Sequence, residues 1–292
     1  GKTTGTPIAI VIPNTSTRSK DYSGSRFLAR PGHADFTANC KYHGFEDYRG
    51  GGHFSGRITA GLVAAGAIAI SALKKKGIYI GTHIAESAGI KDRSFDNVKE
   101  DIKSLCAMDF AVLDAEKAQT MRSSMEDAAR EGDSVGGILE TAVWGVPSGV
   151  GEPWFDTMEG VLSHALFGIP AVKGIEFGNA FEMTSCRGSE YNDEFYMDGE
   201  EIRTRTNNNG GINGGITNGM PIMFKCAVKP TPSIYKKQNT VDFSKNEDAV
   251  LRIEGRHDPA IIHRARVVVD SVTAIVICDM LAERYGTDYL AQ

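Results

Sequence analysis

The chain has 292 residues, 41% hydrophobic and 24% charged, a globular composition long enough to bury one substantial core. Its 32 Lys and Arg against 37 Asp and Glu leave a formal net charge of −5, which argues against a nucleic-acid coat or a basic membrane-surface protein. No apolar run approaches the ~18 residues of a membrane-spanning helix; the nearest, Ala64 to Ile70, is broken by Gly66. A soluble, cytoplasmic protein is therefore expected.

In chain order, the sequence opens at Gly1 without Met or an apolar signal core, as expected of a chain that begins inside a longer reading frame. Residues 7–13 read as a β-run closed by prolines. A polar stretch, 14–28, leads into a dense segment, 30–57. Thr59 to Lys76 is rich in Ala and Leu and ends in three lysines and Gly77, which are helix-stop signals. A strand is expected over Ile78–Ile84, then polar amphipathic helices over 94–106 and 114–131. Gly136–Trp144 reads as a strand, Thr157–Leu166 as a helix, and Ala171–Phe177 and Pro221–Val228 as strands. A last long helix is expected over 263–284. Strands and helices alternate with no linker, so residues 1–292 are expected to form one α/β domain of the α+β type, a layered sheet and helices.

The five cysteines (Cys40, Cys106, Cys186, Cys226, Cys278) are odd in number, scattered, and in or beside apolar stretches. Buried, reduced thiols are expected, and no disulfide framework. Glycine is abundant, 33 residues, and clusters at 50–52 and 210–219. Clustered glycine marks either close backbone approach or turns that need a positive φ.

Several segments could carry chemistry. Gly1-Lys2-Thr3-Thr4 is not a phosphate-binding P-loop, because no strand precedes it and Gly5-Thr6-Pro7 follows instead of a helix. Arg30-Pro31-Gly32-His33-Ala34-Asp35 puts an imidazole on a tight turn, either facing a cavity or capping the surface. Cys40, His43 and His53 lack a second ligand pair, so no metal site is expected. In Arg49-Gly50-Gly51-Gly52-His53-Phe54-Ser55-Gly56-Arg57-Ile58-Thr59, bare backbone and two arginines run straight into a helix start. Backbone N–H groups, helix dipole and guanidinium groups there all favour an anion. A simple cap would explain Ser55 or Thr59 but not the paired arginines. The 207–219 segment, with two Gly-Gly pairs, reads either as a tight bend or as a platform for a flat or phosphorylated ligand. Arg256-His257-Asp258-Pro259 combines an anion grip and acid–base groups with an ordinary helix cap.

Taken in order, these segments, with Lys229-Pro230-Thr231, resemble the chorismate synthase family over nearly the whole chain. Family members begin earlier, with a Gly-Glu-Ser-His-Gly segment that carries a second catalytic histidine and is not in this sequence. Position 53 is His where many members carry Arg, and Phe54 stands where Ser is common. The resemblance implies a β-α-β sandwich assembled as a homotetramer. It also implies conversion of 5-enolpyruvylshikimate-3-phosphate to chorismate by 1,4-anti elimination of phosphate, with reduced FMN required despite no net redox change. It further implies His33 and Asp258 as catalytic residues, Asp258 working through flavin N5. Arg30, Ser55, Arg57 and Arg256 would contact substrate. His53, Phe54, Ser55, Pro170, Ala171, Gly214, Lys229, Pro230, Thr231, Pro232, Ser233 and Arg256 would lie against the flavin. No nucleotide fingerprint for NADP is visible, so an external reductant is expected. The competing readings are a non-catalytic FMN or phosphometabolite binder and, against the net charge, a nucleic-acid binder.

Overall fold

A computed structural model describes residues 3–15, 26–253 and 258–291, and three of its helices begin at side-chain caps. In chain order the first half holds α1 (Asp35–Tyr42), α2 (Thr59–Lys75), β1 (Tyr79–Ser87), β2 (Ile90–Lys91), α3 (Val98–Leu105), α4 (Ala115–Arg130) and β3 (Gly137–Trp144). There follow α5 (Met158–Phe167), β4 (Val172–Phe177), α6 (Gly188–Tyr191), β5 (Phe195–Asp198), β6 (Glu201–Thr204), β7 (Ile212–Asn213), β8 (Ile216–Thr217) and β9 (Ile222–Val228). The chain closes with β10 (Gln238–Asp242), β11 (Glu247–Leu251) and α7 (Ile262–Tyr285). The side chains of Asn97, Asp114 and Thr157 accept backbone N–H groups of the first turns of α3, α4 and α5. Gly77, at φ +74°, follows the basic end of α2.

One antiparallel sheet, in the order β2-β1-β3-β9-β4, carries the fold. In its register Gly137 pairs with Val228 and Ser87, whereas Trp144 pairs with Tyr79 at the opposite end. Helix α7 lies on one face, where Thr82 Oγ1 donates 2.6 Å to Asp270 Oδ1 and stands 2.8 Å from Thr141 Oγ1. The other face meets α3: a side chain on Gly81 would collide with Ile102. There His83, fully buried, bridges two strands and a loop, with Nδ1 2.7 Å from Asp92 and Nε2 2.9 Å from Glu140. Buried Ile84, Leu139, Ile222, Phe224, Ile262, Val269 and Ile277 belong to the core between sheet and helices. The mixed α+β architecture is the one expected.

Four expectations change. Residues 7–13 form no strand: they run as irregular chain with Ile8, Ile10, Val11 and Ile12 exposed, since no described strand offers them a ladder. Cys40, Cys106 and Cys186 are exposed, and only Cys226 is buried, although all five thiols are free. A helical stretch long and apolar enough to cross a membrane does exist, Gly56–Lys75. Counting an unbroken apolar run missed it, because Gly61, Gly66 and Ser71 interrupt the run without breaking the helix. One side of that stretch packs on α7, where a side chain on Gly66 would overlap Ser271, and only 17% of its most apolar window is buried among the described residues. The hairpins β5–β6, β7–β8 and β10–β11 were not anticipated.

Candidate active site

At the Gly137–Val228 end of the sheet, five separate stretches of chain meet. The first is the turn before α1. Asp35 accepts from Arg30 at both oxygens, Nε at 2.8 Å and Nη2 at 2.6 Å, and from the Arg30 backbone at 3.0 Å. The same carboxylate lies 3.1 Å from His33 Nδ1. Burial alone would raise the Asp35 carboxyl, but the hydrogen bonds from Arg30 and His33 outweigh it and hold the group well below the usual range.

The second stretch is the glycine-rich run, which winds as two short 3-10 turns, Arg49–Phe54 and Gly56–Ile58, before α2. Gly51 faces His33 so closely that a Cβ would stand 3.2 Å from the ring, and it sits at φ +85°. Ser55 Oγ accepts the Arg57 N–H at 3.3 Å, which fixes the start of the second turn. Of the two arginines read as an anion grip, Arg49 is engaged elsewhere, its Nε 2.7 Å from Asp47 on the surface. The Arg57 side chain is exposed and has no ion pair among the described residues. His53 stacks on Phe54 with ring centroids 4.4 Å apart, and Tyr42 meets His53 edge-on.

Third comes the corner after β9. Lys229 Nζ donates to the Gly32 carbonyl and its N–H to the Ala171 carbonyl at 3.0 Å, joining this corner to the His33 turn and to the start of β4, the fourth stretch. Ala171 is held at φ +76°, a conformation unusual for a side chain with a Cβ and of the kind that gathers at functional sites. Pro232 packs beside Gly32. Thr231 Oγ1 is buried without a hydrogen-bond partner among the described residues.

The fifth stretch is the approach to α7. Ser134 Oγ donates 2.7 Å to the Thr231 carbonyl, and Val135 N–H donates 2.8 Å to the Pro259 carbonyl, which places Asp258 beside the corner. Asp258 Oδ1 accepts the Ala260 N–H at 3.1 Å, and Oδ2 lies 2.8 Å from Arg264. Arg256 lies outside the described residues.

One predicted contact is not brought in. Gly214 sits at the other end of β9, which at 7 residues spans about 20 Å. There Gly215 accepts the Met158 N–H at 2.9 Å, and a Cβ on Gly215 would lie 2.4 Å from the Glu152 carbonyl. Gly215 thus serves a close approach within the chain's own backbone, whereas Gly214, at φ +62°, has open space around it. Asp35 is the residue that sequence reasoning left without a role. Its signal was its place in the Arg30–Asp35 turn, two residues after the histidine.

An imidazole braced by a carboxylate, on a turn joined to a glycine-rich run that carries an unpaired guanidinium and to a corner with an orphaned hydroxyl, makes a candidate site for an anionic small molecule. The chorismate synthase family model matches residues 1–282. A chorismate synthase of Dehalococcoides mccartyi is 47% identical over 284 residues, 97% of this chain and 78% of that protein. One from Thermococcus kodakarensis is 43% identical over 285 residues, 97% and 79% of the two chains. A crystal structure of a chorismate synthase superposes with a TM-score of 0.71 at 28% identity, over 88% of this chain and 73% of the other. The chain belongs to the chorismate synthase family, and so to the carbon–oxygen lyases.

Proposed function

We propose that this chain catalyses the FMN-dependent 1,4-anti elimination of phosphate from 5-enolpyruvylshikimate-3-phosphate, giving chorismate in the shikimate pathway. The observation that carries this reading is the packing of Gly51 against His33, in the same short run that holds Ser55 and the unpaired Arg57. The free guanidinium suits a phosphate or carboxylate, and the imidazole can hold or release a proton.

The residues present fit the flavin: a buried hydroxyl with no partner at Thr231 is the kind of group a polar ligand satisfies. Pro170, Ala171 and Lys229 to Ser233 would hold the cofactor on one side, with His53, Phe54 and Ser55 on the other. Bound reduced FMN would supply the electron density that assists phosphate departure and is restored as hydrogen leaves C6. Arg57, Arg30 and Ser55 would bind and orient the anionic substrate. His33 would hold a proton near the flavin, and Asp258, steadied by Arg264 at 2.8 Å, would accept one. Gly214 is assigned no part in this cleft.

A cytoplasmic homotetramer served by an external flavin reductant completes the reading. Self-association is supported by the β5–β6 hairpin, where Phe195, Met197 and Ile202 are 62%, 62% and 64% exposed. The test is phosphate release by full-length protein supplied with substrate and reduced FMN. His33→Ala and Asp258→Asn are expected to lose most turnover while keeping the fold and flavin binding. A non-catalytic binder would hold FMN and release nothing.

A further inference from the structure

We propose that Asp35 is a positioning residue that fixes two functional side chains at once, setting the tautomer of His33 and the direction of the Arg30 fork. This rests on the reading of His33 given above.

The geometry is specific. Arg30 Nε and Nη2 reach the two different oxygens of Asp35, at 2.8 and 2.6 Å, so the guanidinium is gripped as a fork and Nη1 is left over. His33 Nδ1 stands 3.1 Å from Asp35 Oδ1 and also 3.1 Å from Arg30 Nη2. A guanidinium only donates and an ionised carboxylate only accepts, so the ring nitrogen between them must choose. If Nδ1 carried a lone pair, that pair would face a full negative charge at 3.1 Å. With a proton there, Nδ1 donates to the carboxylate and the repulsion becomes a charge-assisted hydrogen bond. Ionised Asp35, held in that state by its two donors, therefore selects the Nδ1–H form of the neutral ring.

The consequence falls on the other nitrogen. Nε2 is left with a free lone pair, on the edge of the ring where Gly51 presents bare backbone 3.2 Å from its own Cβ direction. His33 thus stands ready to accept a proton at Nε2. A carboxylate that orients an imidazole in this way commonly governs reactivity without touching substrate.

The experiment is magic-angle-spinning NMR of full-length protein labelled with [15N]histidine, on the neutral ring at alkaline pH, with His33 identified by its loss in His33→Gln. The parent is expected to show a protonated Nδ1 and bare Nε2 for His33. Asp35→Asn is expected to shift the ring toward the Nε2–H form and to lower kcat roughly 10–100-fold, with little change in KM. Asp35→Glu, measured alongside in case the amide variant folds poorly, is expected to restore the tautomer and part of the rate. An unchanged tautomer in folded Asp35→Asn overturns the assignment, whatever the rate does. A tautomer that shifts with no loss of turnover upholds the positioning and instead removes His33 from catalysis.

Discussion

Gly51 faces the imidazole of His33 across a gap that has no room for a methyl group: a Cβ there would lie 3.2 Å from both Cε1 and Nε2. Gly51 also holds φ at +85°, where any other residue is strained by about 1–2 kcal/mol. Two independent constraints therefore select glycine at one position. Gly51→Ala is expected to lower the melting temperature by a few degrees. Because it must also push the ring aside, it should cut phosphate release by more than tenfold, a loss that stability alone would not produce. Equal turnover per folded molecule would show that the ring's position is immaterial.

Arg57 gives the opposite pattern. Its side chain is exposed and lacks an ion pair, so removing it deprives the fold of nothing. Arg57→Ala should leave the melting temperature within a degree or so. A charge-assisted hydrogen bond to an anionic substrate contributes about 2 kcal/mol, so kcat/KM should fall roughly thirtyfold. Arg49→Ala is the control: that guanidinium is paired with Asp47 at 2.7 Å on the surface, and its loss should leave kinetics unchanged. Equal losses in both variants would contradict the division of roles.

Why these two arginines could not be told apart in the sequence is physical. Local signals were reliable: the Lys-Lys-Lys-Gly stop of α2 acts over a few residues. The His33 turn could be read because all its parts lie within Arg30–Asp35. Arg49 and Arg57 look alike as cations; what separates them is Asp47, two residues before Arg49 and paired with it, a local cue masked by the glycine-rich pattern that follows. Pairings decided by tertiary contact could not be read. The 210–219 glycines look like those at 50–52, yet Gly51 faces the His33 ring while Gly215 meets the Glu152 carbonyl. Residues 7–13 had a strand's composition but no described partner, and composition cannot supply a ladder.

On the far side of the sheet, His83 lies between Asp92 and Glu140 with no exposure to water. Burial would lower its pKa, but the hydrogen bonds its ring donates to Asp92 and Glu140 outweigh that and raise it. A raised histidine adds stability that is fully present below the ordinary 6.5 and is lost as pH rises through the folded value. Asp92, lowered against its own burial chiefly by His83, adds stability that is present above the ordinary 3.8 and is lost on acidification. His83→Gln leaves two carboxylates without their cation and should cost about 3–5 kcal/mol in urea unfolding near pH 6. The deficit should shrink at alkaline pH, as the pH rises through the raised folded value and the parent ring loses its charge. A deficit that does not vary with pH would mean that His83 acts by packing alone.

Asp270 reverses the sense of that argument on the opposite face. It is lodged between α7 and the sheet with one donor, Thr82 Oγ1 at 2.6 Å, and burial raises its carboxyl from 3.8 to about 6. A raised carboxyl is favourable while protonated: its contribution is complete below pH 3.8 and is lost as pH climbs through about 6. The shift is worth on the order of 3 kcal/mol, which the parent forfeits by neutral pH. Asn keeps an oxygen for Thr82 but never ionises. Asp270→Asn should therefore gain on the parent in urea unfolding as pH rises from 4.5 to 8. Unfolding curves for the two proteins that stay parallel from pH 4.5 to pH 8 would show that this carboxyl keeps its charge at no cost to the fold.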